Sequence, residues 1–175
     1  MLKNLTRWMG ISALLAMLAL PSVMCAQALP TATSMASLQV GAGYADAAPD
    51  YTKSSIHGIS AFVDYDFRQH IGVELAIHDV TLDTPSGVGE SSYLIGPRFL
   101  LPRGPFTLYG KVSAGMGSLS GQAVQKSSYS AYAFGGGLDY RVTRHIVVRA
   151  FDYEAQHWST GLTPTVITIG AAYRF

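Results

Sequence analysis

The chain has a single cysteine in 175 residues, so no disulfide can form within it, even in a compartment that would allow one. Charge is also scarce. Twelve Lys and Arg face eleven Asp and Glu, together 13% of the residues, and no basic cluster points to a nucleic-acid partner. His57, His70, His78, His145 and His157 are scattered without metal-ligand spacing, and no metal or other cofactor is expected. Past residue 28 no stretch reaches 18 consecutive apolar residues, which rules out a membrane-spanning helix there. A sustained 3.6-residue period is missing as well.

The first 28 residues are set apart by pattern. Lys3 and Arg7 precede an apolar run from Met9 to Leu20, then comes Pro21, and Ala26-Gln27-Ala28 has the small-x-small form of a cleavage site. This reads as a secretory signal peptide, too short to span, leaving residues 29–175 as one mature domain. Cys25 does not mark a lipoprotein, because Met24 stands where a small residue is needed. Cleavage after Ala28 removes the cysteine and leaves a mature chain close to neutral.

What the sequence does have is glycine, 18 in all, aromatics, and alternation. Leu38, Val40, Ala42 and Tyr44 share one parity. So do Ile59, Ala61, Val63, Tyr65 and Phe67, against Gly58, Ser60, Phe62, Asp64 and Asp66. The pattern recurs in "IGVELAIH", "YLIGPRFLL", "FTLYGKVSAGMG", "SAYAFGGGLDY", "HIVVRAFDYEAQ" and "TVITIGAAYRF", giving eight strands of about 9–11 residues. Short links (68–70, 102–105, 141–144) alternate with longer ones (46–55, 83–90, 119–127, 157–164). An even number of strands joined this way predicts an all-β fold, an eight-stranded antiparallel up-and-down transmembrane barrel whose last strand seals against the first.

One face carries Tyr, Phe, Ile and Val. The other carries small residues together with Asp64, Asp66, Glu74, Arg98, Lys111, Asp139, Asp152, Glu154 and Arg174. An eight-stranded interior has room for side chains and little else, so the small, charged face is expected inside, with charges of both signs paired. On the lipid side an Arg or Lys would cost roughly 2–4 kcal/mol near the midplane. Tyr44, Tyr65, Phe67, Tyr93, Phe106, Tyr132, Tyr140, Tyr153, Tyr173 and Phe175 lie toward strand ends, as two interfacial girdles require. Arg149 is the exception, sharing parity with Val147, Phe151 and Tyr153. Either a bulge shifts the register between Arg149 and Phe151, or Arg149 reaches water at the interface.

In these residues the mature chain resembles the small eight-stranded outer-membrane barrels, the class of OmpX and of the OmpA membrane domain. The stretch "RAFDYEAQHW" followed by "GLTPTVITIGAAYRF" is similar to the last hairpin of the generic outer-membrane β-barrel domain family. The resemblance implies Sec-dependent export to a Gram-negative outer membrane, contact with its lipid and lipopolysaccharide, and a monomer. It also implies that the closing Tyr173 and Phe175 serve as the signal read by the outer-membrane assembly machinery. The likeness to OmpA stops at the barrel, with no peptidoglycan-binding domain after Phe175.

Some barrels of this size are lipid A deacylases that use a histidine, a serine and a nearby acid, and His157, Ser159 and Glu154 form such a set here. Two residues apart on a strand, His157 and Ser159 would share a face. The surroundings depart from the deacylase pattern, and an interfacial Trp158 among polar loop residues is the preferred reading. A small gated channel is the other alternative, opposed by the packed interior. Exposed Tyr51, Lys53, Lys126 and Trp158 offer modest loop material for a partner. The expected function is therefore that of an integral outer-membrane barrel with a structural or surface-loop role, not an enzyme.

Overall fold

The computed structural model describes residues 36–48, 55–81, 89–120 and 127–175. The signal peptide expected at 1–28 and the loop residues Tyr51, Lys53 and Lys126 lie outside the described residues. Eight strands run in order: β1 (Ser37–Ala48), β2 (Ile56–Arg68), β3 (Ile71–Thr81), β4 (Gly89–Arg103), β5 (Phe106–Ser120), β6 (Ser127–Arg141), β7 (Ile146–Trp158) and β8 (Thr165–Arg174). Each pairs antiparallel with its neighbour in sequence, and β1 closes on β8 from Gln39 opposite Arg174 to Ala48 opposite Thr165. Closure leaves no unpaired strand edge. Three strands reach 15 residues, longer than expected from the sequence, because the ladders of β4, β5 and β6 continue beyond the lipid-facing alternation. The longer connections shrink to match.

Alternation turns the apolar parity outward. Ile59 is 71% exposed and Met116 64%, while Ile95, Phe134, Ile169 and Leu101 stand out beside them. Such a continuous apolar exterior suits hydrocarbon and would aggregate in water. The described short connections are tight: Gly104, at φ 62°, makes the β4–β5 turn, a conformation that a Cβ would strain. In the β6–β7 turn the Thr143 hydroxyl accepts from the amides of His145 (3.2 Å) and Ile146 (3.0 Å).

Two bulges interrupt the ladders, one at Phe67 in β2 and one in β7 that shifts the register against both of its neighbours. The more consequential is that of β7. Leu138 pairs with Phe151 but Asp139 pairs with Arg149, so Ala150 is an extra residue. Val147 and Arg149 point inward before it, Asp152 and Glu154 after it, and Phe151 and Tyr153 face out. Of the two alternatives open for Arg149, the bulge is the one found.

The interior is layered along the barrel axis. At the loop end, Ala45, Ala47, Ile56, Val80 and Val166 form one buried apolar cluster. Leu94, Ala131, Ala133 and Trp158 form another, with Leu119, Tyr129 and Leu162 packed against it. A third, of Phe62, Val147 and Ala172, lies toward the short turns. The charges sit between.

Candidate functional site

Three bases organise the middle of the barrel. Arg98, entirely buried, donates from Nη1 to Asp64 Oδ2 at 2.5 Å and from Nη2 to Asp139, with Glu74 3.8 Å from its Nε. Lys111 Nζ lies 2.6 Å from Glu74, 2.9 Å from Asp152 and 3.1 Å from Glu154. Arg149 spans the cluster, with Asp64 at 2.8 Å and Glu74, Asp139 and Asp152 each at 3.2 Å. Its guanidinium lies 3.6 Å over the Phe62 ring, and that of Arg98 3.9 Å over Tyr109. The Tyr109 hydroxyl donates to Asp152 at 2.6 Å. A charge removed from water on this scale is tolerable only when opposite charge and directed hydrogen bonds surround it.

A polar chain runs from the network up to the apolar layer. Gln156 Nε2 donates to Glu154 at 2.8 Å and to Ser92 Oγ at 3.2 Å, and the Trp158 indole N–H donates to Gln156 Oε1 at 2.9 Å. His78 Nε2 stands 3.4 Å from Glu154. This chain corrects the placement of Trp158, expected at the interface or in an exposed loop. It is buried inside the barrel, because the β7 bulge puts even-numbered residues inward and Gly117 leaves space under the indole ring.

The structure brings Asp64, Glu74, Arg98, Lys111, Asp139, Asp152 and Glu154 together in the interior. The other two residues expected there stand apart from the ion-paired cluster. Asp66 is recessed near the short turns, bonded by Gln39 (3.3 Å) and Ser37 (3.5 Å). Arg174 lies at the barrel mouth and makes no ion pair among the described residues, because β8 ends there, beyond the reach of the network acids. Tyr173 and Phe175 are outside, their rings 4.9 Å apart. Arg149, left open between a bulge and the interface, joins them, and Tyr109, His78 and Gln156 complete the network without having been expected in it. Tyr109 shares the parity of Lys111, and that signal was available.

His157, Ser159 and Glu154 do not assemble. His157 points outward and stacks on Tyr132 at 5.1 Å, whereas Glu154 points into the network toward His78. Ser159 lies past the end of β7, in a turn, so the shared face expected for His157 and Ser159 is absent. A nucleophile, base and acid must be mutually in hydrogen-bond reach. Among the described residues no cluster of metal-ligating side chains occurs.

An apolar outer wall, a closed ladder and a paired polar interior define an integral outer-membrane β-barrel protein. The chain belongs to the outer membrane protein beta-barrel domain family, whose model matches residues 13–175. No curated protein matches it in sequence. Among solved structures, it is similar to Ail, the attachment invasion locus protein of Yersinia pestis, in complex with the heparin analogue sucrose octasulfate. Identity is 21%, the TM-score 0.64, and the match covers 80% of this chain and 99% of that one. Neisserial surface protein A gives a TM-score of 0.61 at 14% identity, over 81% and 98%. OprG of Pseudomonas aeruginosa gives 0.54 at 16%, over 81% and 97%. At these identities the likeness is one of fold.

Proposed function

We propose that the protein is a non-catalytic, monomeric barrel that reinforces the outer membrane and presents short loops at its surface. On this reading residues 1–28 are a leader removed during Sec-dependent export, and 29–175 are the mature domain in contact with lipid and lipopolysaccharide. The observation that supports it is the state of the interior. The network charges are engaged with one another and the loop end above them is filled by apolar side chains, leaving the wall, loops and rims to act. The lumen network is then a device for holding eight strands in register, with Arg98, Lys111 and Arg149 as its ties.

Membrane fractionation with a heat-modifiability gel, combined with analysis of lipid A, tests this. The expected result is an outer-membrane band that migrates differently unboiled and boiled, with the same lipid A in cells expressing wild type or Ser159→Ala. Deacylated lipid A that depends on Ser159 would overturn the non-catalytic reading. A periplasmic band without a heat shift would overturn the structural one.

A further inference from the structure

Charge outside the central network is distributed by barrel end. At the short-turn end stand Arg68, Arg103, Arg141, Arg144 and Arg174, none with an ion pair among the described residues, and the recessed Asp66 is the one acidic side chain described beside them. Among the described residues the loop end carries the opposite sign in Asp46, Asp79 and Glu90. Short turns of such barrels face the periplasm. The arginines therefore ring the mouth that opens beside the inner leaflet.

Three of them share a cleft. Arg141, Arg144 and Arg174, with Val142 and Thr143, line an open cavity of about 410 Å³. Its walls are fixed by backbone bonds. Arg174 N–H donates to the His145 carbonyl at 2.8 Å, and Val142 N–H to that of Ile146 at 2.9 Å. Arg141 spends one donor on the Gly104 carbonyl (2.9 Å) and keeps others free. Immediately toward the lipid side lie Tyr140, Ile146 and Tyr173, all exposed, with the His145 ring stacked on Tyr173 at 5.5 Å. A guanidinium fork suits a phosphate group, and an apolar, aromatic wall beside it suits acyl chains.

From this juxtaposition we infer that the β6–β7 turn and the end of β8 form a binding site for the phosphate of an anionic phospholipid in the periplasmic leaflet. The cationic rim fixes that end of the barrel at the headgroup level, and the apolar residues beside it receive the chains. This goes beyond the structural role and does not depend on the loops.

The test uses the full chain folded into vesicles of phosphatidylcholine with a minor share of phosphatidylglycerol, extracted in neutral detergent, with retained lipids counted by native mass spectrometry. Wild type should retain phosphatidylglycerol preferentially, each engaged arginine contributing about five-fold. Arg141→Gln/Arg144→Gln/Arg174→Gln should lose the preference while remaining heat-modifiable, and Arg144→Gln alone, which keeps the Arg141 turn bond, should lose part of it. Lys53→Gln/Lys126→Gln should retain it in full. Equal retention of both lipids by wild type, or an unaltered preference in the triple variant, would overturn the inference. Inorganic phosphate that binds in detergent and displaces phosphatidylglycerol equally well would assign the cleft to a soluble phosphate instead and overturn the lipid assignment.

Discussion

Replacing Arg149 by Met removes the side chain that touches most of the network's acids while keeping much of its length and apolar stem. In the wild-type interior three bases hold Asp64, Glu74, Asp139, Asp152 and Glu154. Without Arg149, the same five carboxylates share Arg98 and Lys111. Asp64 keeps Arg98 at 2.5 Å and Asp152 keeps Lys111 at 2.9 Å, but each loses its second cation, and Phe62 loses the guanidinium over its ring. Breaking one partner out of a buried pair costs about 3–5 kcal/mol, since the remaining charge stays desolvated. With a urea slope of about 2 kcal/mol per molar, the unfolding midpoint should fall by roughly 2 M. Urea titration of protein folded into phosphatidylcholine vesicles, followed by Trp158 fluorescence and the heat-modifiability gel, measures this. Arg174→Met, at the mouth and without an ion pair, should stay within about 0.5 kcal/mol of wild type. Adding Asp64→Asn to Arg149→Met should recover part of the loss, with a coupling of about 1–3 kcal/mol. An Arg149→Met loss below about 1 kcal/mol, or one equal to that of Arg174→Met, would refute the claim that the buried carboxylates depend on Arg149 for their compensation.

Two further outcomes separate inside from outside. A Cβ added at Gly41 would lie 2.3 Å from the Phe62 ring and 2.8 Å from the Ala171 carbonyl, whereas at Gly110 the nearest neighbour is the Gly135 carbonyl, 3.9 Å away. Gly41→Ala should therefore cost about 1–3 kcal/mol in the same urea titration and Gly110→Ala almost nothing; equal costs would contradict the assigned faces. After removal of residues 1–28, Trp158 is the sole tryptophan. Its emission should resist quenching by brominated lipid because the indole is buried within the barrel, and strong quenching would return it to the interface.

Architecture was legible because a strand's period is two and each face has one solvent. Residues such as Ile59, Val63 and Tyr65 against Asp64 and Asp66 declare an apolar and a polar side without any tertiary information. The interior was legible only as a composition. Arg149 stayed open between two placements: the parity of "VVRAFDYEAQ" requires either a bulge between Arg149 and Phe151 or a reach to water, and the choice of the bulge, at Ala150, depends on carboxylates from other strands. Trp158 was misplaced for a different reason: its parity is that of Asp152 and Glu154, but a tryptophan at a strand end reads as interfacial by habit of its type. His157 and Glu154, three residues apart, cannot share a face on a strand, and that much was readable. What was not readable is that Glu154 has His78, from another strand, as its histidine neighbour.

The bulge and the network explain each other. A one-residue slip in any strand would exchange its lipid and lumen faces, and a barrel with apolar residues on both faces would have little to oppose that slip. Charged side chains inside make the slip expensive, because each would enter hydrocarbon at roughly 2–4 kcal/mol for an Arg near the midplane. β7 is the strand where this constraint had to be met locally. Without the extra residue, Arg149 and Asp152 could not both point inward, since they are three apart and opposite in parity. With it, Arg149 reaches four carboxylates and Asp152 receives both Lys111 and the Tyr109 hydroxyl. The irregular backbone at Ala150 is thus set by the side chains on either side of it, and the polar interior serves less to add stability than to leave one register available.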